Sequence, residues 1–158
     1  MRAPVPTTPE GLAKLKEELK RLKTVDKIEN IKDIETARAH GDLSENAEYA
    51  AAKERQSHIA GRISELEALI ANAQVIDPST LDHDKVVFGA TVRLSDTDSG
   101  EELTYQIVGV HESDVKGGRI SVESPLAKSL IGKSVDDLVK LTTARGVREF
   151  EVLEISYK

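Results

Sequence analysis

The sequence has no cysteine and no tryptophan, and only 3% of its residues are aromatic. Without cysteine there can be no disulfide, no thiolate zinc site and no cysteine nucleophile. No apolar run approaches the ~20 residues that a membrane-spanning helix needs, and no signal-peptide pattern is present, so the expected address is the cytoplasm, with no membrane partner. Neither sign of charge dominates: 22 basic residues face 28 acidic ones, for a net charge of −6 in 158 residues. That balance argues against a protein that coats DNA or a membrane surface, whose polycationic face would dominate the total. The aromatics are Tyr49, Tyr105, Tyr157, Phe88 and Phe150, and only Tyr49 precedes residue 76. The first half therefore has little to fill a wide core and must form something narrower.

Residues 1–75 read as helix throughout. Glycine occurs there only at Gly11, Gly41 and Gly61, and proline only at Pro4, Pro6 and Pro9. Asp77-Pro78-Ser79-Thr80 is the natural boundary, because Pro78 stops a helix and pushes Asp77 out of the α region. The expected domains are 1–75 and 76–158.

Thr8 can cap a first helix, with Pro9 well placed at its first position. Leu12, Leu15, Leu19 and Leu22 form a coiled-coil seam that continues, in steps of three, through Val25, Ile28, Ile31 and Ile34. Ile59, Ile63, Leu66 and Ile70 form the matching stripe of a second helix. Each stripe is narrow, so each helix needs one partner. Leu15 with Ile70, Leu19 with Leu66 and Leu22 with Ile63 share one residue-number sum, 85, which is the signature of an antiparallel pair. The turn is then centred in His40-Gly41-Asp42-Leu43-Ser44-Glu45-Asn46. At ~1.5 Å per residue, a helix from Pro9 to Ala39 is on the order of 45 Å long.

The second half reads as sheet. Candidate strands are 90–94, 103–110, 119–122, 137–142 and 148–156, with turns at Asp98-Ser99-Gly100 and Ala144-Arg145-Gly146. Ser124-Pro125 looks like the start of a short helix ended by Gly132. The expected fold class is α+β: a long antiparallel coiled-coil hairpin followed by a small, curved, antiparallel sheet domain with one helix against it.

The turn carries two carboxylates, Asp42 and Glu45. One reading is a capping box, in which both side chains serve the helix backbone. The other is a hard-cation site, in which two carboxylates bind Mg²⁺ weakly and leave room for water and phosphate oxygens. The two readings are compatible. An exposed hairpin end has no walls, so any chemistry there needs a pocket supplied by another macromolecule.

HGDLSENAEY, residues 40–49, resembles the tip motif of the bacterial Gre transcript-cleavage factors. The resemblance continues through AAKERQ (51–56), NAQVID (72–77), FGATV (88–92), SPLAKSLIGK (124–133) and EFEVLEISY (149–157). It implies a C-terminal domain similar to FK506-binding proteins that docks on RNA polymerase, and a coiled coil that enters the secondary channel. It implies that Asp42 and Glu45 help hold a Mg²⁺ ion in the polymerase's own active site, where backtracked RNA is cut near its 3′ end. The protein is then an accessory factor rather than an enzyme, a monomer with no cofactor of its own. Ser44, Asn46 and Tyr49 are candidate supports at the tip. Ser44 and Asn46 are also ordinary helix-start residues, and Tyr49 can simply cover the alanine-rich seam. Arg38, Lys53 and Arg55 are a candidate RNA-facing patch or a solvated helix face, and Glu123, Ser124 and Pro125 match the family's polymerase-contact loop or simply cap a helix. Three other readings stay open: an inhibitory homologue occupying the same channel, a coiled-coil adaptor without a chemical role, and a stand-alone hydrolase.

Overall fold

The structure, a computed structural model, describes residues 4–41, 46–81 and 84–157. The chain divides into two compact units. One is Leu12–Ala73; the other joins Pro4–Gly11 to the chain from Gln74 onward.

The first unit is a helical hairpin. Helix α1 (Pro9–Arg21), which opens in the second unit, runs into a π-helical turn at Leu22–Asp26 and then into α2 (Lys27–Ala39). Helix α3 (Ala47–Asn72) returns. Leu15, Leu22, Ile59 and Leu66 form the apolar cluster, with Leu19, Ile63, Leu69 and Ile70 packed on it. Polar pairs report the antiparallel sense: Glu18 meets Arg62, Lys23 meets Glu67, the Asn30 amide meets the Ala52 carbonyl, and Asp33 meets Arg55. The pairs at 18 and 23 meet α3 at 62 and 67, and those at 30 and 33 meet it at 52 and 55, so the two helices run antiparallel, with residue-number sums on either side of the expected 85.

The expected seam fails after Leu22. Val25, Ile28 and Ile31 are 42%, 48% and 44% exposed, and the buried residues are Asn30, Ile34 and Ala37. The cause is a phase problem. A regular heptad continued from Leu15, Leu19 and Leu22 would present Asp26, Glu29, Asp33 and Thr36 to α3, and burying those carboxylates is costly. The apolar residues come one position late, and the π turn absorbs the extra residue. Thr24 Oγ1 donates to the Lys20 carbonyl at the edge of this turn (2.7 Å).

The second unit holds two sheets. Strands β1 (Val5–Thr7) and β2 (Ala73–Val75) pair in a small sheet, although both segments read as helical from sequence. Strands β3 (Thr91–Asp96), β4 (Glu102–Val108), β5 (Arg119–Ser121), β6 (Leu138–Thr143) and β7 (Gly146–Ser156) form a five-stranded sheet in the order β5-β4-β3-β7-β6. All its neighbours are antiparallel except β4 and β5, which run parallel. The stretch between those two strands makes a 3-10 turn at Val115–Gly117 instead of a tight hairpin, so β5 enters in the same sense as β4. The register of β3 against β7 shifts at Arg93/Leu94, a bulge that bends the sheet. Helix α4 (Pro125–Leu130) contributes Ala127 and Leu130 to a core with Val92, Leu94, Ile107, Val139, Phe150 and Val152. Gly100 and Gly146, both at positive φ, allow the two hairpin turns.

Candidate functional site

Helix α2 ends at Ala39 and α3 begins at Ala47, so residues 40–46 connect the two helices. Asp42, Ser44 and Glu45 lie outside the described residues; Asn46, Tyr49, Arg38, Lys53 and Arg55 lie within them.

Asn46 is a double fastener. Its side-chain oxygen accepts from the Tyr49 N–H (3.0 Å) and so caps α3, satisfying a donor that a helix start leaves unpaired. Its amide donates to the Ala37 carbonyl near the end of α2 (2.7 Å). One side chain thus ties the two helix ends together where the connecting segment begins and ends. On the other side, His40 caps α2 through its backbone N–H, and its ring lies 3.6 Å from Glu48, an ion pair only when the imidazole is protonated. Gly41 follows at φ 102°, a left-handed conformation that favours glycine at a helix end.

Tyr49 and Arg38 come together: the guanidinium carbon sits 6.0 Å from the ring centroid, at the limit of a cation–π contact. Arg55 is engaged across the hairpin, 3.3 Å from Asp33 and 3.7 Å from Glu29. Lys53 donates to Gln56 on its own helix (2.8 Å). All three cations are exposed, and each already has a partner on the hairpin. Arg62 with Glu18 is the bidentate pair of the hairpin, at 2.6 and 2.9 Å; the guanidinium holds the Glu18 carboxyl below its ordinary range. Among the described residues, no group of three or more His, Asp or Glu side chains is placed to hold a metal ion.

In the second unit, the Ser124 hydroxyl caps α4 by accepting from the Ala127 N–H (3.3 Å), with Pro125 at the first helical position. Glu123 and Pro125 are exposed beside it, and the Glu123 N–H donates to the Ser121 hydroxyl (3.1 Å).

Two features escaped the sequence reading. The first is Asn30, 1% exposed, whose amide donates to the Ala52 carbonyl (2.9 Å). The available signal was the eight-residue interval from Leu22 to Asn30 in a seam built on sevens. The second is Glu112. Its carboxylate accepts from the backbone N–H groups of Thr8 (3.1 Å) and Gly109 (2.7 Å) and from the Thr8 hydroxyl. The Thr8 hydroxyl in turn accepts from the Gly11 N–H (3.1 Å), so the start of α1 is capped by a carboxylate about a hundred residues away. Arg119 adds an ion pair to Glu10 at 2.6 Å. No local sequence pattern announces a partner at that distance.

Family comparisons cover both units. A family described as "Transcription elongation factor, N-terminal" matches residues 5–75, and one described as "Transcription elongation factor, GreA/GreB, C-term" matches residues 81–157. Transcription elongation factor GreA of Alkalilimnicola ehrlichii is 55% identical over 154 residues, covering 97% of this chain and 98% of the relative. The GreA of Acidiphilium cryptum is 57% identical over 152 residues, covering 96% and 97%. Among solved structures, GreA factor homolog 1 (Gfh1) of Thermus thermophilus is 30% identical, covering 96% of this chain and 98% of that one, with a TM-score of 0.44. With both halves matched in order and more than half the residues shared with full-length relatives, the chain belongs to the GreA/GreB family of transcription elongation factors.

Proposed function

We propose that this elongation factor binds bacterial RNA polymerase, places its helical hairpin in the secondary channel and stimulates the polymerase's own cleavage of backtracked RNA. The reading is carried by one observation: a single slender hairpin, fastened at Asn46, joins its helices through a segment bearing Asp42 and Glu45. Two carboxylates are hard oxygen donors suited to Mg²⁺, and two are too few to hold that ion without further ligands. A shared site, completed by the partner, follows from that count. When Mg²⁺ is bound there, it supplies the activation of water for attack on a phosphodiester. The work of this chain is to deliver negative charge. Asp42 and Glu45 raise the occupancy of a weak cation position and accept hydrogen bonds from the attacking water. Ser44 and Asn46 support the tip, and Tyr49 backs it through Arg38. Arg38, Lys53 and Arg55 face the RNA, while Glu123, Ser124 and Pro125 contribute to polymerase docking. The protein acts as an accessory factor, as a monomer and in the cytoplasm.

The test is to add the protein to a stalled, backtracked elongation complex and look for short RNA products. Asp42→Asn and Glu45→Gln should abolish stimulation while leaving polymerase binding within about twofold. RNA with the protein and Mg²⁺ alone should stay intact. Full cleavage by the double variant would remove the metal role, and inhibition without cleavage would identify a channel-blocking factor instead.

A further inference from the structure

The π turn at Leu22–Asp26 absorbs one residue that a regular seam would not contain. On α3 the seam residues Ala52, Ile59 and Leu66 are spaced in sevens without interruption. On the partner helix, removing one residue between Leu22 and Lys27 would leave Leu15, Leu19, Leu22, Asn30, Ile34 and Ala37 at regular seam spacings of three, four and seven, with the exposed Lys27 at the intervening position. The same side chains would reach the seam through continuous α-helix. The extra residue brings a wider π turn, with the Thr24 hydroxyl donating to the Lys20 carbonyl. Such a turn is one of the few recognised causes of a change in helix direction. Just beyond it, the seam buries Asn30, bonded to the Ala52 carbonyl, where an apolar side chain would pack more favourably.

We infer that the π turn and Asn30 are a positioning device for the connecting segment. The turn sets the direction of α2, and Asn30 locks α2 against α3 at one axial register. From Lys27 to Ala39 the helix is a lever on the order of 20 Å long, so a small change at its root becomes a displacement of ångströms at its end. This inference rests on the proposed role of Asp42 and Glu45, which must meet a cation at a fixed place. Asn30 touches neither RNA nor metal and acts only through position.

The absence of cysteine makes the test clean. Lys16→Cys and Glu35→Cys carry spin labels on exposed sites on either side of the turn, in the full-length chain. The distance between them is measured in the parent, in a Thr24 deletion and in Asn30→Leu. Cleavage of a backtracked complex is measured across a Mg²⁺ series, alongside polymerase binding and melting temperature. Expected are a melting temperature no lower than the parent's, unchanged polymerase binding and an altered label distance. Cleavage should fall by up to about a hundredfold, the scale of an ångström's misplacement, with partial recovery at high Mg²⁺. Parent-rate cleavage by the deletion, or an unchanged label distance, overturns the inference. Where the deletion fails to fold, Asn30→Leu decides by the same criteria. Asp42→Asn in the same assay separates the two ideas: undiminished cleavage there overturns the reading of the tip, whatever the π turn does.

Discussion

The two units solve the problem of burial differently. In the sheet unit, Val92, Leu94, Ile107, Leu130 and Val152 are wholly removed from solvent, because a curved sheet and a helix enclose them from several sides. Among the described residues of the hairpin only Leu66 reaches that state; Leu15, Leu22 and Ile59 keep 7%, 9% and 8% of their surface. Two helices can hide one stripe each and no more. A sheet core specifies its fold through shape, whereas a two-helix seam leaves phase and register underdetermined. The hairpin supplies what is missing with polar pairs that cross it: Glu18 with Arg62, Lys23 with Glu67, Asn30 with Ala52, and Asn46 with Ala37. Exposed ion pairs contribute little stability individually, so their value here is in selecting one alignment over its neighbours.

Truncating each core is the strongest way to break this contrast. Phe150, the largest fully buried side chain, belongs to the sheet core. Phe150→Ala should cost about 3–5 kcal/mol and unfold the sheet unit as a whole. Leu66→Ala removes the hairpin's best-buried residue. It should cost about 2–3 kcal/mol, nearer the lower end of such substitutions because the thin seam can collapse around the gap. Hydrogen exchange should then show lost protection along α2 and α3 with β3, β4 and β7 unchanged. Equal loss of protection in both units would show that the hairpin and the sheet fold as one, and the contrast would fail.

A smaller effect is expected at the start of α1, where Thr8 and Gly109 share the Glu112 carboxylate. Glu112→Ala leaves the Thr8 and Gly109 N–H groups without their acceptor and should cost about 1–2 kcal/mol. Glu112→Gln retains an acceptor oxygen and should cost less. Gly109→Ala should resemble the alanine variant, because a Cβ there would sit 2.5 Å from the Pro6 carbonyl oxygen and 2.8 Å from a Glu112 oxygen. A Glu112→Ala protein that melts with the parent would mean that water replaces the carboxylate.

The α+β class, the two helices and the strands of the larger sheet were legible because each carries a local period: sevens in the hairpin, twos in the strands, glycine at the turns. What was missed is where one period is interrupted or a partner is remote. Ile28 and Ile31 look like seam residues by type, yet the single extra residue before Asn30 turns them outward. Val5–Thr7 and Ala73–Val75 look helical by neighbourhood, yet each is satisfied as strand only by the other. Glu112 gives no sign in sequence that it caps Thr8. Asp42 and Glu45 stood out for the opposite reason: two acids in a short polar break between apolar stripes need no tertiary information to be noticed. Arg38, Lys53 and Arg55 stood out by charge alone, and only the structure reveals the Tyr49 ring, Gln56, Asp33 and Glu29 as their partners.

The two units also differ in how well they shield an ion pair from solvent and salt, and this difference should have the smallest effect. Asp96, at the end of β3, accepts from Arg148 (3.0 Å) and from the backbone N–H groups of Asp98 (2.9 Å) and Ser99 (3.2 Å). The guanidinium first, and then the two N–H groups, hold its carboxyl below the ordinary aspartate range. A carboxyl whose folded value is depressed stabilises the fold above its unfolded value and loses that contribution as the pH falls through the folded value. Melting temperature should therefore differ most between the parent and Asp96→Asn at neutral pH. The gap should begin to close below about pH 4, where the unfolded carboxyl starts to bind its proton. Glu18 is depressed for the same reason, by Arg62, but lies on the open flank of the hairpin, where solvent and salt screen the pair. The pH-dependent gap for Glu18→Gln should shrink in 1 M salt, whereas that for Asp96→Asn should largely persist, since two of its three donors are uncharged backbone groups in a closed turn. If both gaps vanish together in salt, the sheet unit's turn is no better shielded than the hairpin's surface, and the electrostatic half of the contrast between the units is wrong.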